Sequence, residues 1–304
     1  MRKGFTFIEM LFVIVIMGIL AKFGSEIFRN VYLNYNQSTA NNELQIDTEL
    51  VLQQIANRFQ YRIKDSVIAK VSGEVNFKSI SSADANSTVF EWIGYDIDGW
   101  LGDGTSTLPT WTGFIDLNAL DTGNANQSTL FSPGTDTGRI NTVIAALSPS
   151  GAGIGNAVIF FTGENADVQT DYGWDGVNLT TQRDVAAHRI DAGTNADQLV
   201  AHAAGANFTD TDIYEQYKLA WTAYALEIST DGNLTLYYDY RPWEGGSYND
   251  PANASSALLM QNVTTAKIQA VGEILNLQVC VGGEKITSLN GDGGYSICKE
   301  KVIF

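Results

Sequence analysis

From residue 5 to residue 21 runs an apolar stretch with one acid, Glu9, near its start, and a short basic head, Arg2 and Lys3, precedes it up to Gly4. As a helix this run would span ~26 Å, close to the ~30 Å of a bilayer core. A lone carboxylate inside such a span costs ~2.5–3.5 kcal/mol to insert, so Glu9 needs a partner. The pattern then changes period. Leu44, Val51, Ile55, Phe59, Ile63 and Val67 recur at spacings of seven and then four, which marks one apolar stripe on a helix. Glu49, Gln53, Asn57 and Lys64 fall on its other faces. No proline interrupts residues 5–69, and the last glycine in that stretch is Gly24. The expectation is one helix running to about residue 70, ~100 Å long. Its first half would lie in a membrane or filament core and its second half under a globular head.

Beyond Ser72 the texture turns to glycine, asparagine, aspartate, serine and threonine, with short apolar runs between them. Residues 89–95, 157–162, 219–228 and 234–240 read as strands. The last two flank residues 229–233, whose Asp231-Gly232 is a strong hairpin signal. Residues 274–281 and 297–303 read as a final strand pair. Residues 96–156 and 163–212 are weakly periodic and read as long loops, with a short helix over 184–204. The fold class expected is α+β: a long N-terminal helix, transmembrane in its first half, packed on an antiparallel β-sheet head with long loops. The division is 1–4 leader, 5–22 membrane segment, 23–70 amphipathic helix and 71–304 β-rich head.

Composition narrows the function. Only 17% of the 304 residues are charged, yet the formal net charge is −16. Such a surface argues against nucleic-acid binding by the head. It suits an exported head and leaves carboxylates free to hold calcium. The two cysteines, Cys280 and Cys298, suggest one disulfide in an exported chain; two buried free thiols are the alternative.

The segment Arg2-Lys3-Gly4-Phe5-Thr6-Phe7-Ile8-Glu9 resembles the cleavage and methylation motif of type IV prepilins and type II secretion pseudopilins. The resemblance implies that a prepilin peptidase cuts between Gly4 and Phe5 and that the new N-terminal residue is methylated. It implies that Glu9 pairs with the N-terminal amine of a neighbouring subunit during filament assembly. It also implies other pilins or pseudopilins, an inner-membrane assembly platform and the membrane itself as partners, and a disulfide near the C-terminus. An ordinary secretory signal would show an unbroken apolar core and a small-x-small exit. Here Glu9 breaks the core, and Lys22 and Phe23 follow Ala21 directly. The stretch from Leu44 to Val67, with its Arg58, Arg62 and Asp65, is similar to the helix of large minor pilins and J-type minor pseudopilins. Unlike many major pilins, the helix has no proline, so local melting would fall at Gly18 or Gly24. The function expected is a minor filament subunit at an initiating or tip position. An adhesin head displayed on a pilus and an anchored surface enzyme are the rivals.

Within the head, Asp96, Asp98 and Asp103 alternate with glycines in a pattern suited to calcium, although no glutamate closes the loop as in an EF-hand. Asn290-Gly291-Asp292-Gly293 is a weaker example; Asp-Gly turns capping their own backbone explain both equally simply. His188 and His202 lack an obvious third zinc ligand and read as hydrogen-bonded or surface histidines. Asp171 and Asp175 with Trp174 could form a glycosidase pair with a sugar platform, but no hydrolase or nucleotide-binding motif accompanies them. The aromatic clusters at Trp92, Tyr95, Trp100 and Trp111 and at Trp221, Tyr224, Tyr237, Tyr238, Tyr240 and Trp243 read as core and cross-strand pairs. Asn86 and Asn233 stand in Asp-x-Asn-x-Thr contexts similar to some bacterial glycosylation sites.

Overall fold

A computed structural model describes residues 4, 6–106, 108–119, 127–203, 205–272, 274–282 and 296–304. Helix α1 runs unbroken over Phe7–Gln60, through Gly18 and Gly24. It contains an 18-residue window of mean hydropathy 2.2, none of it buried against the rest of the chain. Length and composition therefore allow it to cross a membrane.

The C-terminal part of α1 is buried. Val51, Leu52, Ile55, Ala56 and Phe59 form the stripe that the sequence spacing implies. Helical backbone stops at Gln60, about ten residues before the expected end. The reason is competition from the sheet. The Tyr61 carbonyl accepts from the Tyr95 amide (2.9 Å), and the Ile63 amide donates to the Ile93 carbonyl (2.8 Å). Arg62 also caps the helix, its guanidinium donating to the Phe59 carbonyl at 2.9 Å. Ile63 and Val67 are still buried, but on extended backbone.

The head is built on strands β1 (Ile68–Lys70), β2 (Phe77–Ser79) and β3 (Val89–Tyr95), followed by helix α2 (Ile97–Leu101), β4 (Thr129–Phe131) and helix α3 (Thr137–Leu147). Then come β5 (Val158–Phe161), β6 (His188–Ala192), β7 (Gln198–Ala201), β8 (Tyr217–Ile228), β9 (Leu234–Tyr240) and β10 (Ser255–Met260). Last are β11 (Val263–Val271), β12 (Ile274–Gly282) and β13 (Ser296–Ile303). The larger sheet follows the order β2-β1-β3-β8-β5-β6-β7-β4, and β9 and β10 extend it from the other half of β8. A smaller sheet has the order β11-β12-β13. Strand pairing among the described residues is antiparallel throughout. The expected strands are therefore present, as is the 229–233 hairpin, where Gly232 takes φ +76° and its amide closes on the Ser229 carbonyl.

Two expectations for the loop regions are corrected. Residues 184–204 hold β6 and β7 rather than a helix, because residues 193–198 form a turn in which the Gly193 amide donates to the Gln198 carbonyl. Residues 96–156 contain α3, whose N-terminus is capped by Asp136 accepting from the Gly138 and Arg139 amides. Ile140, Val143 and Ile144 form its buried face.

One apolar cluster joins α1 to both sheets: Leu52, Ile55 and Phe59 share it with Trp92 and Leu226 of the large sheet and Leu277, Val279 and Ile303 of the small one. Phe59 stacks on Trp92 with ring centroids 3.8 Å apart. A second cluster, including Trp111, Ile140, Leu199 and Leu219, packs the 96–216 insertion against β8. Cys280 and Cys298 form a disulfide between directly paired residues of β12 and β13.

Removing the Phe59 side chain should cost about 3–5 kcal/mol, the range for burying an aromatic cavity. Denaturant unfolding of Phe59→Ala in micelles, followed by near-ultraviolet circular dichroism, measures it. Replacing both cysteines by serine should cost about 3 kcal/mol in the same assay, from the loop entropy released to the unfolded chain.

Candidate functional site

The N-terminus presents a peptide in extended conformation followed by a capped helix. Thr6, at φ −80° and ψ 151°, is the N-cap of α1. Its amide donates to Glu9 Oε2 at 2.9 Å and its hydroxyl donates to the same oxygen at 2.8 Å. Glu9 thus satisfies the first orphan donor of the helix, the acidic half of a capping box. In the single chain the carboxylate is held at the helix end nearest Gly4, on an exposed surface. Its negative charge also complements the positive end of the helix dipole. Gly4 is exposed, with open space around its Cα. Phe5, the other side of the expected cut, lies outside the described residues, as do Arg2, Lys3 and the Asn290–Gly293 candidate.

From Phe7 to Phe28 the helix leaves a nearly continuous apolar surface uncovered, including Phe12, Ile16, Leu20 and Phe23. A soluble protein does not expose a patch of this kind without a purpose. Lipid or the helices of neighbouring subunits are the environments that suit it.

The head candidates are placed as follows. Asp96 is buried and caps the short α2 by accepting from the Gly99 amide at 3.1 Å. Burial pushes its carboxyl up to about 6, against the pull of that amide. Asp98 is exposed. Asp103 is committed to Arg139, 2.6 Å away, and that hydrogen bond holds its carboxyl well below the usual range. Among the described residues, no three His, Cys, Asp or Glu side chains are gathered where they could hold a metal ion together.

His188 is fully buried, with Nε2 3.2 Å from both oxygens of Glu164. His202 sits between Asp191 (3.2 Å from Nδ1) and Arg189 (3.0 Å from Nε2). Asp171 and Asp175 line different cavities and are both used by their own loops: Asp171 accepts from the Asp167 amide, Asp175 from the Val177 amide. Among the cavities lined by described residues, the two acids therefore do not share one as a glycosidase pair would.

Sequence reasoning missed two buried polar systems. In one, Asp239 accepts from Ser148 (2.7 Å) and pairs with Arg241 (3.2 Å), which bonds Glu244 (3.1 Å), itself paired with Arg189 (2.9 Å). In the other, Glu91 pairs with Lys70 at 2.5 Å and accepts from the Tyr240 hydroxyl at 2.7 Å. Burial, then the Glu91 charge, raises the Tyr240 hydroxyl well above its ordinary pKa. The available signal was a charged residue inside an apolar strand, as in Phe90-Glu91-Trp92.

Comparison with known families gives one match: the prokaryotic N-terminal methylation motif, over residues 1–21. No curated protein and no solved structure matches the chain. The matched motif, the apolar helix behind it and the β-rich head together support a prepilin-type protein, a type IV pilin-like or pseudopilin precursor. The motif implies processing by a prepilin peptidase and assembly with other pilins. The apolar N-terminal helix fits membrane anchoring.

The Asp96 carboxyl gives the head a pH signature. Its folded-state pKa lies above the unfolded value of 3.8, so its contribution to stability is full below 3.8 and is lost as pH rises through about 6. Asp96→Asn keeps the acceptor for Gly99 and removes the charge. The variant should be more stable than the parent at pH 8 by up to about 3 kcal/mol and should converge with it near pH 4. Denaturant midpoints at the two pH values measure the difference.

Proposed function

We propose that this chain is a minor pilin or minor pseudopilin that takes part in assembling a type IV pilus or a type II secretion-like pseudopilus at its initiating or tip position. The observation that carries the reading is the conjunction at the N-terminus. The methylation motif ends in an uncovered apolar helix whose single early acid, Glu9, stands one turn from the cleavage point. Cleavage between Gly4 and Phe5 creates an ammonium. In the bilayer neither that ammonium nor a carboxylate is stable alone. The amine of an incoming subunit replaces the Thr6 donors as the partner of Glu9, and the apolar faces of the two helices then close on one another. An inner-membrane platform supplies the site of assembly, and the head lies on the extracytoplasmic side, opposite Arg2 and Lys3.

The tip position is argued from bulk. The 96–216 insertion adds β4, β5, β6 and β7 to the larger sheet and packs α3 beside them, and a head of that width would crowd a densely packed shaft. A second reading, a binding head displayed by the filament, is favoured by one feature, the aromatic cavity described below.

Mass spectrometry of sheared filaments and of membranes should find an N-terminally methylated Phe5 at a few copies per filament. Regular spacing along shafts would refute the tip position, and an uncut Gly4–Phe5 bond would refute the assembly mechanism. Glu9→Leu should insert in the membrane and fold its head normally. It should lower recovery in filaments at least about tenfold, because the partner amine is left buried without a counter-charge.

A further inference from the structure

Beside the buried Lys70–Glu91 pair lies a 250 Å³ cavity between the end of β1, β3, the 171–177 loop and the 241–250 loop. Trp174 forms part of its wall. The indole Nε1 donates to the Ser66 carbonyl at 3.0 Å, which fixes the ring before any ligand arrives. Tyr248 forms another part, with Lys70 Nζ 4.7 Å above its ring centroid. Asp175 and Asn249, both exposed, stand at the rim with Val75.

We infer that this cavity binds a single neutral sugar ring. Four observations select that class. First, the cavity is smaller than the ~300–1,000 Å³ typical of sites for larger ligands, so it suits one ring. Second, a buried ion pair at the base makes an apolar occupant unfavourable, because displaced water would leave Lys70 and Glu91 with fewer polar partners. Third, Lys70 already takes the cation's place over Tyr248, which removes the aromatic face that an amine would use. Fourth, Glu74 and Asp175 at the mouth repel anions. A pyranose meets the remaining requirements: its C–H face covers the Trp174 ring, and its hydroxyls exchange hydrogen bonds with the amide, carboxylate and ammonium groups around it.

This inference does not rest on the filament reading. The full chain in lipid nanodiscs is titrated with glucose, galactose and mannose, and separately with N-acetylneuraminic acid and choline, using saturation-transfer NMR. A hexose contributes about a dozen non-hydrogen atoms, so a Kd in the millimolar range is expected. Trp174→Ala should weaken binding at least about tenfold, as removal of an aromatic anchor does. Val75→Arg alters only an exposed rim side chain and should block the mouth without changing Tm, which covers the case in which the tryptophan variant misfolds. Loss of hexose binding in either folded variant supports the site. The inference is overturned by no hexose signal, by a signal that both folded variants retain, or by tighter binding of the acidic sugar or choline than of any hexose. Filament incorporation of Val75→Arg should equal that of the parent, so failure here is distinguishable from failure of the assembly proposal.

Discussion

A single helix has to satisfy two solvents. The rod from Phe7 to Gln60 is one hydrogen-bonded unit, but its apolar residues are distributed differently at the two ends. Around Leu52, Ile55 and Phe59 they occupy one stripe, and two sheets cover that stripe. Toward the N-terminus they surround the helix, and among the described residues nothing covers them. A helix apolar all round is stable only inside lipid or protein. The head completes the core at one end, while the other end is left for lipid or for neighbouring helices.

That division explains what was legible in the sequence. The exposed end could be read directly, since its signals are local: a basic head, Gly4, an apolar run, and Glu9 within reach of its own N-cap. Strands β3, β8, β9, β12 and β13 were legible because apolar, β-branched and aromatic residues dominate them and turns bound them clearly. The end of α1 was not. Ile63 and Val67 keep a helical spacing, yet the carbonyl and amide groups of residues 61–63 find better partners in β3. No property of those residues alone discloses that competition. Strands β6 and β7 escaped for a related reason, being short, partly polar, and stabilised by neighbours distant in sequence. Helix α3 had a legible start, the Asp136 cap before Ile140 and Ile144, hidden among glycine-rich flanks.

The candidate chemistry divides in the same way. The acids at 96, 98 and 103 look alike in sequence, but folding sends them to three environments: a buried cap, an exposed helix position and an ion pair with Arg139. Alternation of carboxylates is a one-dimensional pattern, whereas coordination needs convergence. The Lys70–Glu91 pair shows the converse. Nothing in the spacing relates the two residues, but the register of β1 against β3 places Ala69 opposite Phe90 and so brings the two charged residues close together. Similarly, the chain from Asp239 through Arg241 and Glu244 to Arg189 ties the insertion to the end of β9. Buried charges of this kind are expensive unless paired, so their value lies in fixing one arrangement of loops that have little apolar surface of their own.

The disulfide reinforces the small sheet on which α1 packs. Cys280 and Cys298 join β12 to β13, and β13 lies along α1, where Lys301 bonds Gln53 and Lys299 pairs with Glu49 at 3.4 Å. Disulfides form in oxidising compartments and are rare in a reducing cytoplasm. The bond is thus suited to the outer side of the membrane, where the proposed topology puts the head, and there it reinforces one of the two sheets that cover the buried half of α1.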